Sequence, residues 1–167
     1  MTASPGASRV TPLPRLAQIS FRVTPGSGPL AARALGLDRL PPANQFSAAD
    51  GCNVLWLGPD EFLAVGADDL RGPLETRLRE AIPPGEGAVV DVSANRVGVW
   101  LSGPDARDVL AGCCPLDFHP RVFRTGSCAG TLLAKAQAVI AQIDDRPSYL
   151  ILVRPSYASY VRAWLRR

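Results

Sequence analysis

Residues 91–110 read DVSANRVGVWLSGPDARDVL, and the layout of that stretch decides what kind of fold the chain can take. Val97, Val99 and Leu101 alternate with Arg96, Gly98 and Trp100, so successive side chains leave opposite faces of an extended strand and one face meets a core. Ser102 then offers a hydroxyl as a helix cap. Pro104 suits a first helical turn, where its missing amide costs nothing, and Asp105 complements the positive end of a helix. Ala106, Val109, Leu110 and Cys113 recur at i, i+3, i+4 and i+7, an apolar stripe that lies against a sheet. The stretch is a strand feeding a helix, and nothing in it looks catalytic.

Working outward, residues 16–23 read as a first strand and 29–35 as a short helix ending near Gly36, followed by the loop LPPANQF. Two runs, 53–57 and 61–65, are joined by Gly58-Pro59-Asp60, which is hairpin punctuation. Leu74, Leu78, Ala81 and Ile82 share one face of a covering helix over 69–82, stopped by PPGEG. Downstream come strands over 130–135, 136–143 and 148–154, the last two linked by the turn DDRP. A closing helix over 156–166 buries Tyr160, Val161, Trp164 and Leu165. Most connections are too short for parallel crossovers, so the order implies an α+β fold with a mostly antiparallel sheet and covering helices. Residues 1–14 read as a flexible arm and 15–167 as a single domain, and no internal repeat is visible.

Composition narrows the function classes. A chain of 167 residues with 47% apolar residues can hold a core without covalent staples. The formal charge of +3 comes from cations scattered along the chain and not gathered in a run, which gives no nucleic-acid footprint. No apolar stretch approaches the roughly 20 residues that span a bilayer. The opening MTASPGASRVTPLPR has no apolar core of an export signal, so a cytoplasmic home and four free, buried cysteines are expected.

Each chemical candidate has a plainer reading. Cys113, Cys114, His119 and Cys128 are zinc-type ligands, but adjacent cysteines project apart and no C-x2-C pair is present, so no metal is expected. His119 is the only histidine and sits in PLDFHPRVF without a nucleophile elbow, so packing or a surface hydrogen bond is expected in place of a dyad with Cys114. Asp144 and Asp145 fall in a hairpin turn beside Pro147, where Asp bonds locally. GPDE and SGPD lack the spacing of a phosphate-binding loop. Arg121 and Arg124 flank Phe123 and have the forked geometry to contact an anion or a partner's carboxylate.

The blocks WLGPDEFLAVG, LSGPDARDVL, CCPLDFHPRVF and GSCAGTLLA, with the run SYLILVRPSYASYVRAWL, give the chain a resemblance to the gamma-subunit family of heterotetrameric sarcosine oxidases, from about Leu55 onward. That family is similar to the folate-binding T-protein of glycine cleavage, which shares a DVS…SGPDA…L segment. The resemblance implies a T-protein-like domain in a complex with alpha, beta and delta subunits. That complex oxidatively demethylates sarcosine to glycine, makes peroxide and passes the one-carbon unit to tetrahydrofolate. It also implies that FAD, FMN, NAD, zinc and tetrahydrofolate belong to the other subunits, with no cofactor on this chain and no catalytic residue of its own. The aminomethyltransferases carry an acidic pair shortly after a Gly-Gly turn; here the corresponding AGTLLAKAQ has no carboxylate, which speaks against independent folate chemistry.

Three readings follow: an accessory subunit of that complex or of a related N-methyl amine oxidase, a free-standing folate-binding module, or a stand-alone enzyme using Cys114 or Cys128. An accessory subunit needs a contact surface. Trp56, Trp100, Phe118 and Phe123 are the candidate interface residues, since aromatics are enriched at interfaces, although each fits a core equally well.

Overall fold

The structure is a computed structural model and describes residues 8–166. Its elements in chain order begin with strands β1 (Arg9–Pro12) and β2 (Leu16–Val23), helix α1 (Gly28–Ala34), and strands β3 (Phe46–Ala49), β4 (Cys52–Trp56) and β5 (Glu61–Ala67). Helix α2 (Arg71–Ala81), strands β6 (Gly87–Asp91) and β7 (Val97–Ser102) and helix α3 (Ala106–Ala111) come next. Strands β8 (Cys128–Leu133), β9 (Ala136–Asp144) and β10 (Ser148–Val153) and helix α4 (Ala158–Trp164) complete the chain. The fold is α+β, with two five-stranded sheets in which every pairing is antiparallel.

The chain divides into two compact units, one of residues 15–94 and one that joins the segment before Arg15 to everything from Asn95 onward. The first holds the sheet β3-β4-β5-β2-β6. Its core takes Ile19, Phe21, Val54, Phe62 and Ala64 from the sheet and Leu74 and Leu78 from α2, while α1 contributes Ala31. Leu74 and Leu78 belong to the apolar stripe legible in the sequence. Helix α1 ends in a Schellman closure: the Leu37 amide donates to the Ala32 carbonyl (2.9 Å) and the Gly36 amide to that of Arg33 (3.0 Å). Gly36 takes φ 75°, which a glycine adopts without strain.

The second unit holds the sheet β1-β7-β10-β9-β8. Val99 and Leu101 of β7 enter its core with Ile140, Tyr149, Ile151 and Val153, under Ala106 and Leu110 of α3 and Val161 and Leu165 of α4. The alternation read in residues 97–101 is therefore the core face of β7.

Several expectations are corrected. Ser102 does not cap α3: it is the last residue of β7, paired with Arg9 and Ser148, and α3 starts after Asp105 with no side-chain cap bond. In the closing helix Val161 and Leu165 are buried, whereas Tyr160 and Trp164 are only half-buried. Of the expected N-terminal arm, residues 1–7 lie outside the described residues, and Arg9–Pro12 pairs with β7 in register Arg9↔Ser102 to Pro12↔Val99. Strands β3 and β6, which begin at the ends of the expected loop and helix stop, were not expected from the sequence. All three unannounced strands lie at sheet edges, where strands are short and pairing, not side-chain alternation, holds them. Pro12 is tolerated for the same reason.

An internal repeat is also present, contrary to the reading of the sequence. The order β-β-α-β-β-β-α occurs twice, as β1 to α2 and as β6 to α4. In each half the three consecutive strands and the strand before the helix hold matching sheet positions, β3-β4-β5-β2 against β8-β9-β10-β7. The first strand of each half completes the other's sheet: β6 lies beside β2, and β1 beside β7. The repeat is one of topology, so residue patterns do not reveal it.

Candidate functional site

The DVS of residues 91–93 is a structural turn. Asp91, at the end of β6, accepts hydrogen bonds at Oδ1 from the Ser93 amide (2.9 Å) and the Ser93 hydroxyl (2.6 Å), and Arg71 of α2 pairs with Oδ2. Ser93 Oγ in turn accepts from the buried Gln18 amide (3.0 Å). Burial pushes the Asp91 carboxyl up, but the two Ser93 bonds and the Arg71 charge outweigh it and hold the group below the usual carboxylate range. The network ties β6 to β2 and α2.

The four cysteines are free thiols and do not form a metal set. Among the described residues no group of three or more His, Cys, Asp or Glu side chains is placed to hold a metal ion. Cys113 is half-buried and donates to the Val109 carbonyl (3.2 Å), and Cys114 lies 3.5 Å from the Thr131 hydroxyl. Burial pushes the Cys113 thiol up, reinforced by Cys114; burial also raises Cys52, against the charge of Arg77. Raised thiols hold little of the reactive thiolate at neutral pH.

His119 is exposed and serves its own loop. Its Nδ1 accepts from the Arg121 amide (3.2 Å), its amide donates to Asp117 Oδ1 (2.8 Å), and its carbonyl accepts from Val122 (2.8 Å) and Phe123 (3.0 Å). The surface hydrogen bond expected from the sequence is this one. Asp144 closes β9 and Asp145 opens the turn that the sequence indicates. Asp144 accepts from the Arg146 amide and guanidinium (both 3.0 Å), and Asp145 from the Thr125 hydroxyl (2.6 Å). Burial raises the Asp144 carboxyl, but bonds from Arg146 and Ser148 outweigh it and leave the carboxyl below its usual range.

The candidate interface aromatics separate into two kinds. Phe118 and Phe123, 3% and 6% exposed, belong to the core of the second unit, where their rings meet edge-on at 5.2 Å and both flank the buried Tyr149 (5.9 and 6.5 Å). Trp56 and Trp100 are half-buried. Burial pushes the Tyr149 phenol up, opposed by the Arg107 guanidinium. Sequence reasoning passed over the exposed apolar residues: Val122 is 61% exposed and Val90 53%. It also passed over the ring ladder Tyr157–Tyr160–Trp164, with successive centroids 6.4 Å apart. The spacing of 157, 160 and 164 was the available signal, since it puts three rings along one helical face.

A folate would need a cleft and a carboxylate to meet the pterin. Two surface hollows of the first unit measure about 220 Å³, between α2 and β6, and about 240 Å³, beside α1. Ligand pockets usually run to about 300–1,000 Å³. Arg79 and Arg33 are the charged residues lining them, with no carboxylate. The stretch 129–137 is the β8–β9 hairpin and carries none either. The residues lining these two hollows offer no carboxylate to a pterin.

Comparison with known proteins gives a consistent picture. A family model described as "Sarcosine oxidase, gamma subunit family" matches residues 24–167. Sarcosine oxidase subunit gamma of Corynebacterium sp. (strain P-1) is 38% identical over 151 residues, 89% of this chain and 73% of that protein. A chain of the heterotetrameric sarcosine oxidase from Corynebacterium sp. U-96, solved in complex with pyrrole 2-carboxylate, is similar with TM-score 0.88 at 34% identity, covering 98% of this chain and 84% of that one. The glycine cleavage system aminomethyltransferase T from Bartonella henselae is similar with TM-score 0.72 at 16% identity over 96% of this chain and 45% of that one, a likeness of fold alone.

Proposed function

We propose, from the premise that the chain belongs to the sarcosine oxidase gamma subunit family, that it is a non-catalytic accessory subunit of a heterotetrameric sarcosine oxidase. The similarity to a chain of such an assembly along nearly its whole length carries this reading. The chemistry of the chain agrees with it. Cys114 and Cys128, the cysteines weighed as nucleophiles, are buried, and the only histidine is exposed with its Nδ1 engaged by its own loop.

In this reading the partners are alpha, beta and delta subunits, and the assembly converts sarcosine to glycine with formation of peroxide and methylene-tetrahydrofolate. FAD, FMN, NAD, zinc and tetrahydrofolate are held by those subunits. The assembly works in the cytoplasm. No helix among the described residues is long and apolar enough to cross a membrane. Trp56 and Trp100 are the sequence-derived candidates that keep surface for a partner.

Co-expression with the alpha, beta and delta chains of the same genome, purification through a tag on this chain and an assay of peroxide from sarcosine test the proposal. A yellow, sarcosine-oxidising assembly that loses stability when this chain is omitted is the expected result. A well-folded chain that purifies alone and ignores those subunits would refute it, as would an assembly that oxidises only a different N-methyl amine.

A further inference from the structure

The segment His119–Arg124 projects from the second unit on a frame that is unusually complete. Pro120 has no amide, and every other amide in the segment is satisfied within the chain. His119 donates to Asp117, Arg121 to the His119 ring, Val122 and Phe123 to the His119 carbonyl, and Arg124 to the Ser127 hydroxyl (3.1 Å). Phe118 and Phe123 anchor it in the core at either side, and Thr125 bonds Asp145 of the neighbouring hairpin turn. A loop held this way loses little conformational entropy on binding.

Its outward side chains are the reverse of its inward ones. Val122 is 61% exposed, more than any other large apolar residue described, and it stands between the exposed Arg121 and Arg124. Neither arginine has a carboxylate within ion-pair distance among the described residues, although six ion pairs form elsewhere. With its amides already satisfied, such a tip meets a partner chiefly through its side chains and as an acceptor. An apolar knob between two guanidinium groups is complementary to an apolar recess rimmed by carboxylates.

We infer that the loop tip Arg121-Val122-Arg124 is a docking element that seats Val122 in an acidic-rimmed recess on a partner subunit, which rests on the reading of the chain as an accessory subunit. Two cations are too few for a membrane surface, where clusters of about four to eight are the rule. They are also too few for nucleic acid, where specific proteins neutralise about six to ten phosphates. A free anion would use the two guanidinium groups and leave Val122 in water, so the combination favours a protein partner. Arginine is enriched at the centres of such interfaces, and a small rigid apolar contact excludes water around the ion pairs.

The test uses the full chain co-expressed with the alpha, beta and delta subunits, in four forms: wild type, V122S, R121E/R124E, and R33E/R39E as an equal charge change on other exposed arginines. Affinity for the remaining subunits is measured at two salt concentrations, and the melting of each isolated chain shows whether it folds. The loop variants are expected to melt like wild type and bind at least about tenfold more weakly, R121E/R124E with a flattened salt dependence, while R33E/R39E binds like wild type. If V122S and R121E/R124E assemble as well as wild type, or if R33E/R39E is equally impaired, the docking role is overturned and the accessory reading stands. If wild type itself joins no assembly, the accessory reading fails and this inference goes with it.

Discussion

Asp91 carries the end of β6 through one carboxylate oxygen shared by the Ser93 amide and hydroxyl, while its other oxygen meets Arg71. Asp91→Asn keeps the shape and removes the charge that those donors favour. It should lower stability at pH 7 by about 1–2 kcal/mol in urea unfolding. Because the native carboxyl is held below its usual range, this contribution is complete above the unfolded pKa of about 3.9 and is lost as pH falls through the native value. Wild type and variant should therefore converge in acid. Ala134 behaves in the opposite sense. It is the first of two residues turning β8 into β9 and sits at φ 51°, where a side chain is strained and glycine is not. Ala134→Gly should raise stability by about 0.5–1 kcal/mol, read as a higher melting temperature. The DVS motif was plain in the sequence, but its role was not, because the hydroxyl's second partner is the Gln18 amide, far off along the chain. Phe118 and Phe123 show the same limit. Composition marks an aromatic as buried or binding, and only packing around Tyr149 decides between them.

Among the elements, β7 was legible from its alternation, β2, β4, β5, β9 and β10 as short apolar runs bounded by turn residues, and α2 because Leu74 and Leu78 repeat one turn apart. The edge strands β1, β3 and β6 leave no such record, since a partner's backbone and not a core defines them. Gly87 shows how a strand of that kind is specified. It pairs with Val23, and a Cβ at this position would stand 2.2 Å from the Arg22 carbonyl oxygen and 2.9 Å from Ile82 Cγ2. The backbone must move to admit one methyl group. Gly87→Ala should cost about 1–3 kcal/mol and, in hydrogen exchange, release protection along β6 before the centre of its sheet.

At the scale of the molecule, the α+β class and the antiparallel pairing followed from short connections, whereas the division into two sheets and the duplication did not, because the halves match in strand order and not in residues. The exchange of first strands has a direct mechanical test. Removing residues 1–12 strips β1 from β7 and bares a long strand edge. Such a chain should melt about 5 °C lower or more and aggregate more readily, seen by calorimetry and light scattering. The same exchange sets the order in which a growing chain can fold on the ribosome. Every strand of the first sheet lies between Leu16 and Asp91, so that sheet can close while the rest is still being translated. Arg9–Pro12 precedes all of it and has no place there; it stays unpaired until β7 leaves the exit tunnel, so a segment synthesised before the whole first sheet is secured after it.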